Sequence, residues 1–450
     1  MAGVGAAAVV MVAVAAALLP MPPLLLALAG VGVLLSAVLP TRLLVPVAYV
    51  AMSAVYLEAA VTGVYVGEIS LGSRIARDGM LLTLAVVLAA RSKVRHSLRR
   101  HVMVLAAVAG VSILARSPIG PPTLALLRYF ALVPFVAMVA AAALRASVGT
   151  ERGIRIMARA LIFVACTSAV VGFLQVVGVL STGFYEAYAA GGRSVGIVGQ
   201  PNNQAFLLVF GVAALRHAAA FRTKTALVLA VLLSAGVFVT YSRSGIVALA
   251  LVWLIPAARR RIHKRRVGRS LIAVGLTLLL APTFFAARDN TAGILRNPRL
   301  EIVDRTLEEL GIPGVLVGNP RLSTYEGASV TYVTDSAWLE AILLGGAPLA
   351  LGWSWLLARV WRGGADLARA LLLGFVVASI TTAAFGLFPG VLFMWTLLFL
   401  TVPDGAAPFE RVQWVRKSLD LDHSIRRDPS LSSASQPVAS RVTPPATSES

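Results

Sequence analysis

The sequence predicts an all-α protein that crosses a membrane about 12–14 times, with one long loop on the outward side. Three observations predict this. Of 450 residues, 58% are hydrophobic and only 13% charged, a balance foreign to soluble domains of this length. Apolar runs of about 15–25 residues recur from end to end, the length a helix needs to cross the hydrocarbon core. The cations are also sorted by side. All four lysines (Lys93, Lys224, Lys264 and Lys417) fall in segments that read as cytoplasmic, and the outward cations are arginine alone.

The first apolar run, Gly3 to Leu19, has no basic segment before it and leads straight into a second. It reads as a span and not as a cleaved signal. RRRIHKRRVGR at 259–269 carries seven cations in eleven positions and anchors the cytoplasmic side; RSKVRHSLRRH at 91–101 is a second anchor. Alternation between them also puts residues 145–159, 216–224 and 359–369 inside. Residues 61–77, 116–123, 181–203, 241–245 and 286–334 then fall outside. Segments 370–387 and 389–402 read as two short spans, with Pro389 and Gly390 at the turn. Residues 1–402 form the membrane domain, with both termini cytoplasmic. Residues 403–450 form a tail whose end, PSLSSASQPVASRVTPPATSES, has the composition of a disordered segment.

The outward loop 286–334 stands out by its length. Leu300, Val303, Leu307 and Leu310 recur there at helical spacing, with Glu301, Arg305, Glu308 and Glu309 on the other face. This predicts a short amphipathic helix along the membrane surface or over a cavity. Gly311 and Pro313 are expected to end it.

Several function classes are excluded. The formal net charge is +20, yet the positive loops are short and alternate with apolar spans, so topology accounts for them and no nucleic-acid partner is expected. Cys166 is the single cysteine, so an internal disulfide or a cysteine metal cluster cannot form. Neither a Walker-type phosphate loop nor a dinucleotide glycine fingerprint occurs. His96, His101, His217, His263 and His423 all map to the cytoplasmic side. Outward chemistry would therefore have no histidine as base or metal ligand. No cofactor and no metal is expected.

Eleven of the 40 basic residues lie at or beyond the outer ends of spans: Arg74, Arg77, Arg116, Arg128, Arg193, Arg243, Arg288, Arg296, Arg299, Arg305 and Arg321. Orientation selects against outward cations, so those that remain need a reason. A planar, permanently charged fork suits phosphate or carboxylate. In GGRSVGIVGQPNN (191–203), Arg193 lies in a glycine-rich stretch that allows close backbone approach to a ligand. Pro201 suits the first turn of the next helix, and Asn202 or Asn203 suits its cap. An arginine beside a helix N-terminus makes an anion site; an ordinary helix start with a solvated arginine would look the same.

In TYSRSG (240–245), Arg243 sits at the hydrocarbon edge, where a charge is costly and usually paired or functional. Ser242 and Ser244 can donate to the same anion. A snorkelling arginine is the alternative. Arg128 lies within an apolar run and either binds substrate or pairs with Glu58 or Asp78. In TYVTDSAWLEAILLGG, Asp335 opens a span and can cap its helix. Glu340 lies within the apolar run, where a carboxylate can act as general base or orient an acceptor.

The order of these pieces resembles the O-antigen ligase / O-antigen polymerase superfamily of bacterial cell-envelope glycosyltransferases. The matching residues are Arg193 and Gly196 with Pro201 and Asn202 opening a span, then Ser242, Arg243, Ser244 and Gly245 at the next outer turn. A long outer loop follows with Arg299 or Arg305, Pro313 and Gly318. Asp335 and Ser336 then open a span closed by Gly345. The resemblance covers roughly residues 155–400. It implies a metal-independent membrane enzyme of the bacterial cytoplasmic membrane. That enzyme transfers or polymerises a glycan from a polyprenyl diphosphate, such as undecaprenyl diphosphate, onto a glycan or lipid acceptor hydroxyl at the outer face. Arg193 and Arg243 would hold the diphosphate, Arg305 would assist from the loop, and Asp335 would position the acceptor; Pro201, Asn202, Ser242, Arg299 and Arg128 would line the substrate site. Ligases of this family commonly carry a histidine where this chain has Asp335, which turns the expectation toward a polymerase, or a ligase with a carboxylate there. A transporter or flippase of lipid-linked sugars is the alternative; it would place broken or ionisable positions at mid-bilayer in both halves.

Overall fold

A computed structural model describes residues 38–62, 71–91, 98–116, 127–180, 193–218, 221, 223–254, 308, 310–319, 336–381 and 387–402. The chain divides into residues 1–403 and residues 404–450. The second unit, the expected spans before residue 38, the anchor 259–269 and most of the loop 286–334 lie outside the described residues.

The described residues are helical, without a strand among them. The helices are α1 (Thr41–Thr62), α2 (Leu71–Arg91), α3 (Arg99–Arg116), α4 (Val133–Val148), α5 (Thr150–Val176) and α6 (Pro201–His217). They continue as α7 (Thr223–Val239), α8 (Arg243–Leu254), α9 (Ala337–Gly363), α10 (Asp366–Thr381) and α11 (Gly390–Thr401). Against about 12–14 expected crossings, three described helices are long and apolar enough to cross a membrane: Arg128–Val148, Thr150–Val176 and Ala337–Gly363.

Composition explains the packing. Residues 136–141 of α4 are small or medium-sized and fully buried, so α11 can lie close against them. Trp395 of α11 meets Trp353 of α9 at 5.4 Å, Phe375 of α10 at 5.8 Å and Phe399 at 5.6 Å between ring centroids. Tyr49 of α1 reaches α11 edge-on to Phe393 at 5.1 Å, and its hydroxyl bonds Thr396 Oγ1 at 2.7 Å. One aromatic layer thus joins four helices, with its buried phenol satisfied.

A π-helical turn, Arg128–Leu132, leads into α4. Pro134 has no N–H to return to the carbonyl of Phe130, and a wider turn is one way the chain accommodates that. Arginines close helix ends elsewhere. Arg145 Nη2 donates to the carbonyls of Phe399, Leu400 and Val402 at 2.8, 3.0 and 2.7 Å. Arg216 Nη1 donates to those of Val252 and Trp253 at 3.1 and 3.0 Å, its guanidinium 4.1 Å from the Trp253 ring centroid. Each satisfies the orphan carbonyls at the C-terminus of a neighbouring helix.

Central to this unit is α6. Thirteen of its 17 residues are buried, and it packs against α5, α7, α8, α10 and α11. Its N-terminus therefore opens where several elements meet.

Candidate anion site at two helix N-termini

Residues 194–199 form a buried coil. Buried coil must satisfy its backbone groups without a helix ladder, and here side chains of α5 and α6 do so. Gln175 Oε1 accepts from Val195 N at 3.1 Å and Gly196 N at 2.8 Å, and Gln175 Nε2 donates to Gly196 O at 3.3 Å. Ser168 Oγ accepts from Ile197 N at 3.3 Å. The Ser194 hydroxyl bonds Gln204 Oε1, and Gln204 Nε2 donates to Ser168 O at 3.1 Å. Gly196 has φ +55° and faces Ser168 Oγ and Gln204 where a Cβ would stand. The expected close approach of glycine to a ligand is thus, at Gly196, an approach to the protein's own amides and hydroxyls.

The coil is tied to the end of α7. Ser194 N donates to Val239 O, and Arg193 Nε to Thr240 O, both at 3.0 Å. Thr240, Tyr241 and Ser242 then reverse the chain into α8. Tyr241 sits at φ +51°, a left-handed conformation that costs energy for a side chain of this size. Thr240 Oγ1 donates to Val237 O at 2.7 Å and accepts from Ser242 N at 3.2 Å. The buried Ser242 hydroxyl accepts from Gly245 N at 3.2 Å and lies 3.3 Å from Ser244 Oγ. Ser242 is therefore the N-cap of α8; its hydroxyl oxygen accepts in the cap, and its own O–H is a separate donor.

Arg243 is the exposed first residue of α8. It lies three positions beyond the carbonyl that Arg193 grips, so the two arginines flank one turn. The helix starts also meet. A Cβ built on Gly245, in the first turn of α8, would lie 2.5 Å from Ala205 Cβ, in the second turn of α6. Pro201 is N1 of α6, as the sequence suggests, but Gln200 is the N-cap, with no side-chain capping bond. Asn202 and Asn203, expected as caps, lie in the first turn instead. The N-terminal turns of α6 and α8 thus lie against each other, and the turn before α8 is gripped by Arg193 and followed by Arg243; helix N-termini are places where anions bind.

Arg128 lies in a different cluster. Its Nη1 donates to both Asp78 oxygens at 3.2 and 3.0 Å, and its Nη2 to Tyr129 Oη at 2.7 Å. Arg77 Nε donates to the same carboxylate at 2.9 Å, and its guanidinium lies 5.4 Å from the Phe388 ring centroid. Both arginines are buried. Arg128 ties the π turn to α2 through Asp78, one of the two acids that the sequence offered as its partner. A buried charge left without its partner is costly, which explains why the cluster keeps its acid.

Asp335, Arg299 and Arg305 lie outside the described residues. Ser336, rather than Asp335, is the N-cap of α9, accepting from Leu339 N at 3.5 Å. Residues 310–317 are helical, so Pro313 lies within helix instead of closing one, while Gly311 breaks the run at φ +57°. Leu310 packs with Leu339 and Leu343 of α9, with Val315 and Ile342 against them. Here α9 is interrupted: Gly345 has φ −140°, ψ 16° and Gly346 has φ +70°, ψ −173°. A Cβ on Gly346 would meet Leu316 O, and one on Gly318 would lie 2.8 Å from Gly346 N. Glycine at both positions lets backbone meet backbone.

Sequence reasoning missed Gln175, Ser168 and Gln204. The signal was present, since an amide inside an apolar run needs a partner. No group of three or more His, Cys, Asp or Glu side chains that could hold a metal ion occurs among the described residues. No protein-family model, characterised protein or solved structure matches this chain.

Proposed function

We propose that the chain is a polytopic glycosyltransferase of the bacterial cytoplasmic membrane, similar to the O-antigen ligases and polymerases. In this reading it crosses the membrane about 12–14 times, and both termini are cytoplasmic. It transfers a glycan from a polyprenyl diphosphate to a glycan or lipid hydroxyl at the outer face. The acceptor oxygen bonds to the anomeric carbon; the bond from that carbon to the diphosphate oxygen breaks, and the electron pair leaves on the diphosphate. Negative charge grows there, and fixed donors aimed at it lower the barrier.

The observation that carries the reading is the meeting of the α6 and α8 N-termini beside Arg193 and Arg243. A lipid carrier explains why such a site stands among apolar helices. Asp335, Arg299 and Arg305 remain assigned to acceptor and donor by resemblance. The test is glycan chain formation by the purified protein from a polyprenyl-diphosphate-linked oligosaccharide, in liposomes with chelator present. Product is expected. No product, with the oligosaccharide carried across the bilayer, would establish the alternative, a flippase. One observation favours that alternative: α9 is a broken helix with a carboxyl in its first turn, a common build for transport sites.

A further inference from the structure

Glu340 lies in the first turn of α9, four residues after the capping Ser336. Its Oε2 is buried and has no hydrogen-bond partner. A carboxyl in this state is unusual, because burial is normally offset by an ion pair or several donors. The Asp78 carboxylate shows the ordinary solution, held by two arginines. Among the described residues Glu340 has no such cation.

The surroundings of Glu340 are also specific. At about 100° per residue, it falls between two faces of α9. Leu339, Ile342 and Leu343 face the segment 310–319, whereas Ala337, Ala341 and Leu344 face the main core. Glu340 is therefore at the seam where that segment docks. Just beyond it the helix ladder stops at Gly345 and Gly346, against the backbone of Leu316 and Gly318. The seam joins the segment 310–319 to α9, and the residue as a whole remains partly exposed.

Resting on the proposed transfer reaction, we infer that Glu340 is the base that takes the proton of the acceptor hydroxyl. As the acceptor oxygen bonds to the anomeric carbon, its proton passes to the Glu340 carboxylate. The electron pair of the broken carbon–oxygen bond leaves on the diphosphate, and the proton goes to water when product departs. A carboxylate that no described cation holds keeps its basicity for this step. The segment 310–319 packs along the seam through Leu310 and Val315, which narrows the access of water that would compete as acceptor. In the topology expected from the sequence, no histidine falls on the outward side to do this work.

The experiment compares native protein with Glu340→Gln and Glu340→Asp in the liposome transfer assay. Binding of a non-hydrolysable polyprenyl-diphosphate analogue is measured in parallel. Glutamine keeps the shape and removes the base. Turnover is expected to fall about 100-fold or more in Glu340→Gln, with analogue affinity unchanged, while Glu340→Asp retains part of the activity. Native turnover in Glu340→Gln overturns the inference and leaves the transfer reaction standing. So does a loss of turnover matched by loss of analogue binding, which marks a structural role. An inactive native protein overturns the reaction itself and the inference with it.

Discussion

Gln175 shows what a single side chain does here. It accepts two backbone amides from a buried coil and donates to a carbonyl of the same coil. Gln175→Ala leaves those donors unsatisfied and is expected to cost about 2–4 kcal/mol. Thermal unfolding of the solubilised protein would read the loss, and transfer should fall with it, because the coil carries Arg193. Native stability in Gln175→Ala would mean that the coil is held elsewhere. At the next turn, Arg243→Lys keeps the charge and removes the planar fork. Most transfer activity should disappear if Arg243 clamps a diphosphate. Near-normal product from the lysine variant would make it a topology anchor. Part of this was legible in the sequence: Pro201 stands in the first turn of α6, where its missing N–H costs nothing. The pairing of Arg128 with Asp78 was one of two partners the sequence offered, and the capping of α8 by Ser242 was not read from sequence, since hydroxyl and guanidinium partners depend on the folded surroundings.

Among the elements, α9 is the informative one. The sequence read LLGG as the end of a span; the structure instead carries the helix on past a break to Gly363. The reason lies outside α9, in the backbone of residues 316–318, whose approach only a residue without a Cβ permits. Nothing local to Gly345 and Gly346 announces that contact. Gly346→Ala adds a methyl where Leu316 O already stands, at a positive φ, and overpacking of this kind costs about 1–3 kcal/mol. Segment 310–319 should detach first, seen as faster cleavage there by an external protease with the remaining fragments intact. Unchanged cleavage would show that the apolar contact of Leu310 with Leu339 and Leu343 suffices to hold it.

For the whole molecule, the cation pattern makes one demand on topology. In a Cys166→Ala background, a cysteine at position 264 should resist an impermeant thiol reagent in intact cells, and one at position 290 should react. Labelling at 264 would invert the orientation and move Arg193 and Arg243 to the wrong face for the proposed donor. Helix type and many boundaries followed from apolar length alone, as at α7, α8 and α11. Which helices adjoin did not follow, because apolar faces look alike and the contacts that distinguish them are few and polar. Arg145 makes one such contact, to carbonyls 254–257 residues further along the chain. Its replacement by alanine should lower stability by about 1.5–3 kcal/mol, measurable as a shift in unfolding temperature. That strap also sets an order in time. During synthesis, α4 is complete long before the chain reaches residue 399, so the Arg145 guanidinium must wait without these partners. Only when α11, the last described helix, has been made can it close, so this step of assembly joins a late helix to one laid down early.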